Sequence, residues 1–219
     1  RVIDMDEVLQ SFPEDSGFVV SEDGKSITLD VSEQTEAETF ELTTEQTRIL
    51  IENNQTLTVK KDNVETAIPA SSFDNYDEPV TIDIVEQEPV PNSFSSTYDF
   101  TIKQGTRTIS QFGDPNNPEE DPGITLTFNV NAERANNPQN LKVFYYNEDT
   151  GKWENIGGEY SNGKVTVVTY HFSMFTVFEV EENEEEVVDG PKTDETNGSS
   201  QPSGDDEQSD SKGDKAEKE

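Results

Sequence analysis

Cysteine is absent from these 219 residues and histidine occurs once. The first absence removes disulfides, thiol nucleophiles and thiolate metal sites. The second leaves a zinc or copper centre almost without ligands, so no cofactor is expected on that chemistry. Bases are scarce too: 15 Lys and Arg stand against 48 Asp and Glu, for a formal charge of -33. Such a surface has no cationic surplus to neutralise phosphates, which excludes nucleic acid as a partner, and anionic membranes repel it. No apolar run approaches the ~20 residues that span a bilayer, so no direct membrane contact is expected of this segment. Arg1 to Ser11 lacks the basic and apolar regions of a signal peptide, and the chain reads as a piece of a longer or processed one.

Apolar residues make up only 29% of the chain, too few for folding throughout. The deficit is concentrated at one end. Residues 181–219 carry 15 acids and 4 bases, leaving -22 of the charge on the first 180 residues. Their only aliphatic residues are Val187, Val188 and Ala216. This stretch is expected to be a disordered, self-repelling acidic spacer, because it buries too little to offset the entropy of ordering.

Residues 18–180 show strand periodicity broken by turn chemistry, after a linker or short N-terminal segment at 1–17. Ile27-Thr28-Leu29-Asp30-Val31, Val80 to Val85, Tyr98 to Ile102 and Ile124 to Val130 alternate apolar with polar, as half-buried strands do. Phe40-Glu41-Leu42 is a shorter candidate. Gln55 to Ile68 reads as a hairpin turning at Lys61-Asp62-Asn63, and Pro69 ends it. Leu141 to Tyr146 and Lys152 to Ile156 flank the turn Asn147 to Gly151, and Asn162-Gly163 leads into Lys164 to Thr169. One segment departs from this pattern: Thr43 or Thr44 caps a short helix that carries Ile49, Leu50 and Ile51. The fold class is therefore mainly β, an antiparallel sandwich with one short helix.

Two side-chain sets point to ligands. Trp153, Tyr145 and Tyr146 offer aromatic surface for a cell-wall or host glycan, although neighbouring strands in a sandwich commonly bury such rings as core. Asp114, Glu119, Glu120 and Asp121, in the loop from Gly113 to Gly123, supply hard oxygen ligands for Ca²⁺, but their spacing matches no EF-hand register.

The run Tyr145-Tyr146-Asn147-Glu148-Asp149-Thr150-Gly151-Lys152-Trp153, followed by His171-Phe172-Ser173-Met174-Phe175, resembles the β-rich modules of Gram-positive S-layer and wall-associated proteins. Ile51 to Val59 and Ile68-Pro69 match the earlier part of that pattern. The resemblance implies a non-catalytic spacer or adhesive unit, extracellular and wall- or surface-associated, whose partners are neighbouring domains of a longer chain and envelope glycans or proteins. The His-Phe-Ser triplet also resembles the cleavage site of self-processing domains, among them a nucleoporin domain and a β-domain of zonula occludens and netrin-receptor proteins. That second resemblance implies His171 as general base, Ser173 as nucleophile and the Phe172 carbonyl as the group attacked. The residues themselves allow a plainer reading. Phe172 and Phe175 stand on opposite faces by alternation, so a bend at the triplet that carries the chain from one sheet to the other accounts for both.

Overall fold

The computed structural model describes residues 2–74 and 76–181. The expected acidic spacer lies outside the described residues apart from Glu181. Two seven-stranded sheets face each other, with strands numbered along the chain. The first runs, in spatial order, β1 (Phe18–Val20), β2 (Ser26–Asp30), β4 (Thr56–Lys60), β5 (Val64–Pro69), β9 (Ile124–Asn129), β13 (Lys164–Thr169) and β12 (Glu159–Ser161). The second runs β11 (Lys152–Gly157), β10 (Leu141–Asn147), β14 (Met174–Glu179), β7 (Tyr98–Gln104), β6 (Val80–Glu86) and β3 (Thr39–Leu42). Strand β8 (Arg107–Ile109) adds to β7. Every described pairing is antiparallel except β2 with β4, which are parallel because β3 and the helix after it carry the chain through the other sheet in between.

The alternation in sequence becomes the two inner faces. On β9, Ile124, Leu126 and Phe128 are fully buried while Thr125 and Thr127 face outward. On β7, Tyr98, Phe100 and Ile102 do the same from the opposite sheet. Phe100 is the hub of the aromatic core, with ring centroids 5.4 Å from Phe172, 5.8 Å from Phe175, 6.2 Å from Tyr98 and 6.5 Å from Phe128.

Two helices close one end. The expected one, α2 (Thr44–Glu52), has Thr43 at its N-cap in a full capping box: the Thr43 hydroxyl accepts from Gln46 N at 3.1 Å, and Gln46 Oε1 accepts from Thr43 N at 2.9 Å. The other, α1 (Met5–Ser11), lies in the stretch before Phe18 that reads from sequence as a linker or short N-terminal segment. Asp4 caps it by accepting from the backbone N–H groups of Asp6 and Glu7, and Val8 and Phe12 enter the core. Arg48 fastens α1 to α2, lying 2.8 Å from Glu7, 2.6 Å from Glu45 and 2.7 Å from Glu52. The Glu45 carboxylate first, then those of Glu7 and Glu52, hold the guanidinium in its charged form.

Lys61 is the least expected member of the core. Sequence places it in a hairpin turn, yet it is only 4% exposed. Its Nζ donates to the Ile84 carbonyl at 3.0 Å and lies 6.0 Å from the centre of the Tyr98 ring. Burial pushes the ammonium below the ordinary lysine value of 10.5, partly opposed by Glu38, Glu86 and Asp62. The unfolded chain therefore holds this proton to higher pH than the folded one, so the contribution of Lys61 rises with pH through the window below 10.5. Denaturant unfolding at a series of pH values is expected to show wild type gaining stability relative to Lys61→Met between neutral pH and that window. A flat difference would contradict the burial argument.

The strand registers fix where the chain enters and leaves. Thr56 pairs Ser26 on one side and Pro69 on the other, Ala67 pairs Thr125, and Ile124 pairs Thr169, so all lie at the end covered by α2. The N-terminal segment lies at this end as well, with Ile3 and Met5 against Gly24. Strand β14 starts beside Asp99 of β7 and runs away from the α2 end, pairing Glu179 with Leu141, and Val180 N donates to the Asn140 carbonyl at the far end. The described chain thus passes from one end of the sandwich to the other.

Candidate functional site

The His-Phe-Ser triplet occupies the crossing between the sheets. Strand β13 ends at Thr169 in the first sheet and β14 begins at Met174 in the second. The four intervening residues are tied down on both sides. His171 forms an isolated bridge with Gln111, Phe112 N donates to the Tyr170 carbonyl at 2.9 Å, and Phe100 N donates to the Ser173 carbonyl at 3.1 Å. The Thr169 hydroxyl donates to the His171 carbonyl at 2.8 Å. The crossing explains the parity conflict in the sequence. Phe172 packs inward on Phe112 at 4.8 Å, and after the bend Phe175 and Val177 point inward instead.

The three side chains take separate partners. The Ser173 hydroxyl donates to the Tyr146 carbonyl at 2.9 Å. The His171 ring meets Tyr145 edge-on at 4.6 Å and stacks near Phe175 at 6.0 Å. Among the described residues no hydrogen bond joins His171 to Ser173. None of residues 170–174 has a positive φ. In this structure the Ser173 hydroxyl serves as a hydrogen-bond donor that ties the crossing to β10.

Beside the triplet opens a cleft of about 600 Å³, lined in part by Asp99, Tyr145, Glu148, Asp149 and His171. Its electrostatics come from fixed pairs. Glu154 accepts from the Tyr145 hydroxyl at 2.6 Å and from Asn147 Nδ2 at 2.7 Å, and these bonds hold its carboxyl below the usual range while the Tyr145 hydroxyl is held above its own. Asp99 moves the other way, raised first by burial and then by the nearby Glu148.

The aromatic trio falls on two faces. Tyr145 turns inward to the corner, whereas Tyr146 and Trp153 pair across β10 and β11 on the outer face. Trp153 meets Tyr146 at 5.4 Å and 61° and Phe178 at 5.6 Å and 77°, while Phe144 meets Phe178 at 5.2 Å and 79°. These rings pack edge to face, so they do not form the flat platform on which a pyranose stacks. Phe144 and Phe178 join Trp153 through strand register, a pairing that residue spacing does not reveal.

The loop acids are held by their own loop. Asp114 N donates to the Asp121 carbonyl at 2.9 Å, the Asp114 carboxylate accepts from Asn116 N at 2.8 Å, and the Glu120 carboxylate accepts from Asn117 Nδ2 at 2.8 Å. Asp114, Glu119, Glu120 and Asp121 are not brought together. Among the described residues no group of three or more His, Asp or Glu side chains is arranged to hold an ion.

Comparison with known proteins gives relatives of much greater length. The chain is 33% identical over 140 residues to a protein of Evansella cellulosilytica named "Putative membrane protein", covering 61% of this chain and 20% of that one. It is 27% identical over 147 residues to an amylopullulanase of Thermoanaerobacterium thermosulfurigenes, covering 63% of this chain and 7% of the enzyme. No family model matches the chain, and no solved structure matches it. The chain therefore spans a fifth or less of the length of the curated relatives it matches.

Proposed function

We propose that this chain is a non-catalytic structural and adhesive spacer module of a bacterial cell-surface protein, working beside other domains of a longer chain. The observation that carries this reading is the pattern of similarity. A stretch of 140 to 147 residues recurs as a minor part of two long proteins with unlike names, which is how a module behaves rather than a catalytic domain. A match to 7% of an amylopullulanase leaves most of that enzyme outside the similarity, so its activity does not transfer.

Two features support a mechanical role. The described chain enters at the α2 end and leaves at the opposite end, the arrangement that lets modules join in a line. The charge of -33 keeps such a surface soluble and self-repelling. The resemblance of the Trp153 and His171-Phe172-Ser173 motifs to wall-associated modules supports an extracellular location, and the name of the Evansella relative agrees with an envelope setting.

At the corner, Ser173 is a structural hydroxyl in this reading. Ser173→Ala is expected to cost about 1–3 kcal/mol, because the part-buried Tyr146 carbonyl loses its donor. Intact mass spectrometry of the wild-type chain, fresh and after days at neutral pH, is expected to give one unchanged mass. A break after Phe172 that disappears in Ser173→Ala would overturn the reading in favour of self-processing.

A further inference from the structure

Near the far end of the sandwich, away from α2, lies a second cleft of about 570 Å³ whose chemistry differs from the rest of the surface. Its walls are the segment 93–97, which leads into β7, and the segment 129–134, which follows β9. The backbone locks them together: Asn131 N donates to the Phe94 carbonyl at 2.9 Å, and Phe94 N donates to the Val177 carbonyl at 2.8 Å. Ser95 and Thr97 are anchored through hydroxyl contacts to Thr176. On the floor, Asn63 and Ser96 are hydrogen-bonded to the buried hydroxyl of Tyr98, whose pKa is pushed up to about 12, mainly by burial. The cleft is therefore built on the rigid part of the fold.

Its lining is unusual for so acidic a chain. Amides and hydroxyls dominate, with Glu86 as the one carboxylate and Arg134 as the one cation. Arg134 lies over the Phe94 ring with its guanidinium carbon 5.1 Å from the centroid, and its Nη2 donates to the Ser93 carbonyl at 3.3 Å. Arg48 and Arg107 both hold carboxylates. Arg134 is different: among the described residues no carboxylate stands within ion-pair distance of it. Stacking on an aromatic face orients a guanidinium and leaves its in-plane N–H donors for a planar anion.

We propose that this cleft binds a saccharide carrying a single carboxylate, with Arg134 taking the carboxylate and the asparagine, serine and glutamine groups taking ring hydroxyls. The volume suits one or two sugar rings. The lining is too polar for an apolar ligand, and a charge of -33 disfavours a polyanion while tolerating one negative group met by a guanidinium. This site goes beyond the spacer role and gives the adhesive part of it a chemical target.

The test is a titration of the full, isotope-labelled chain followed by amide NMR. The probes are a glucuronate-terminated disaccharide, its glucose-terminated counterpart and acetate. The expected result is shifts confined to 93–97 and 129–134 with the glucuronate compound, and binding weakened at least about tenfold in Arg134→Gln, with amides elsewhere unchanged. Asn131→Ala is expected to weaken it by a smaller factor. Equal binding of the glucose compound, the same shifts from acetate alone, an unaffected Arg134→Gln, or no shifts at all would each overturn the proposal. None of these outcomes bears on chain integrity, so the spacer reading stands or falls separately.

Discussion

Phe100→Ala is expected to lower the free energy of unfolding by about 3–5 kcal/mol, the range for truncating a buried phenylalanine. Phe100 is 2% exposed and touches aromatic rings from both sheets and from the crossing at Phe172. Removing its ring leaves a cavity where these elements meet, and no single neighbour can collapse into it without abandoning another. Phe100→Leu keeps most of the volume and is expected to lose less than half as much. Denaturant unfolding of the three proteins measures this directly. A loss below about 1 kcal/mol for the alanine variant would mean that the sheets do not share one core.

Gly113→Ala carries the second large effect, through the backbone. Gly113 has φ of +65, in the left-handed region, and a Cβ placed there would stand 2.5 Å from the Pro122 carbonyl oxygen and 2.6 Å from its carbon. Strain at positive φ and steric overlap with main chain each cost about 1–3 kcal/mol, giving an expected loss of roughly 2–6 kcal/mol. The damage spreads because Phe112, one residue earlier, supports Phe172 at the crossing. Gly163→Ala is the control: its φ is also positive, at +79, but nothing lies within 4 Å of the added carbon. Thermal unfolding is expected to rank Gly113→Ala well below Gly163→Ala, and equal losses would show that sterics at the Asp114–Asp121 loop play no part.

Sequence periodicity located the strands well where one face is buried and the other wet. Ile27 to Val31, Val80 to Val85 and Ile124 to Val130 each fall on an observed strand within a residue or two. The capping residue Thr43 placed α2 for the reason the structure shows. Helix α1 was missed although Asp4, the acids Asp6 and Glu7, and Val8 with Phe12 four residues apart form a short version of the same signal. Seven residues give too little periodicity to stand out from an acidic background. Short strands such as β1 and β12 were missed for the same reason. Spacing alone is also silent on which strands pair, so the parallel pairing of β2 with β4 and the split of Tyr145 from Trp153 between faces emerge only from register.

The candidate site was legible in part. Alternation across Tyr170 to Phe178 is accounted for by a bend at the triplet, and the chain does pass between the sheets there. The side-chain partners were not legible, since Tyr146 lies 27 residues from Ser173 in sequence and meets it only because β10 pairs β14. Arg134 carries no motif at all. Its distinction is that no carboxylate among the described residues pairs with it, a property of three-dimensional placement.

A spacer loaded through its two ends pulls β14 along its own axis, so its hydrogen bonds to β10 and β7 resist together rather than one at a time. Pulling single molecules of the full chain by its termini tests this most directly. One dominant, cooperative rupture is predicted, releasing on the order of 60 nm of extended chain as the sandwich opens. Gradual unravelling at low force, with no dominant rupture, would contradict a module that carries load from end to end.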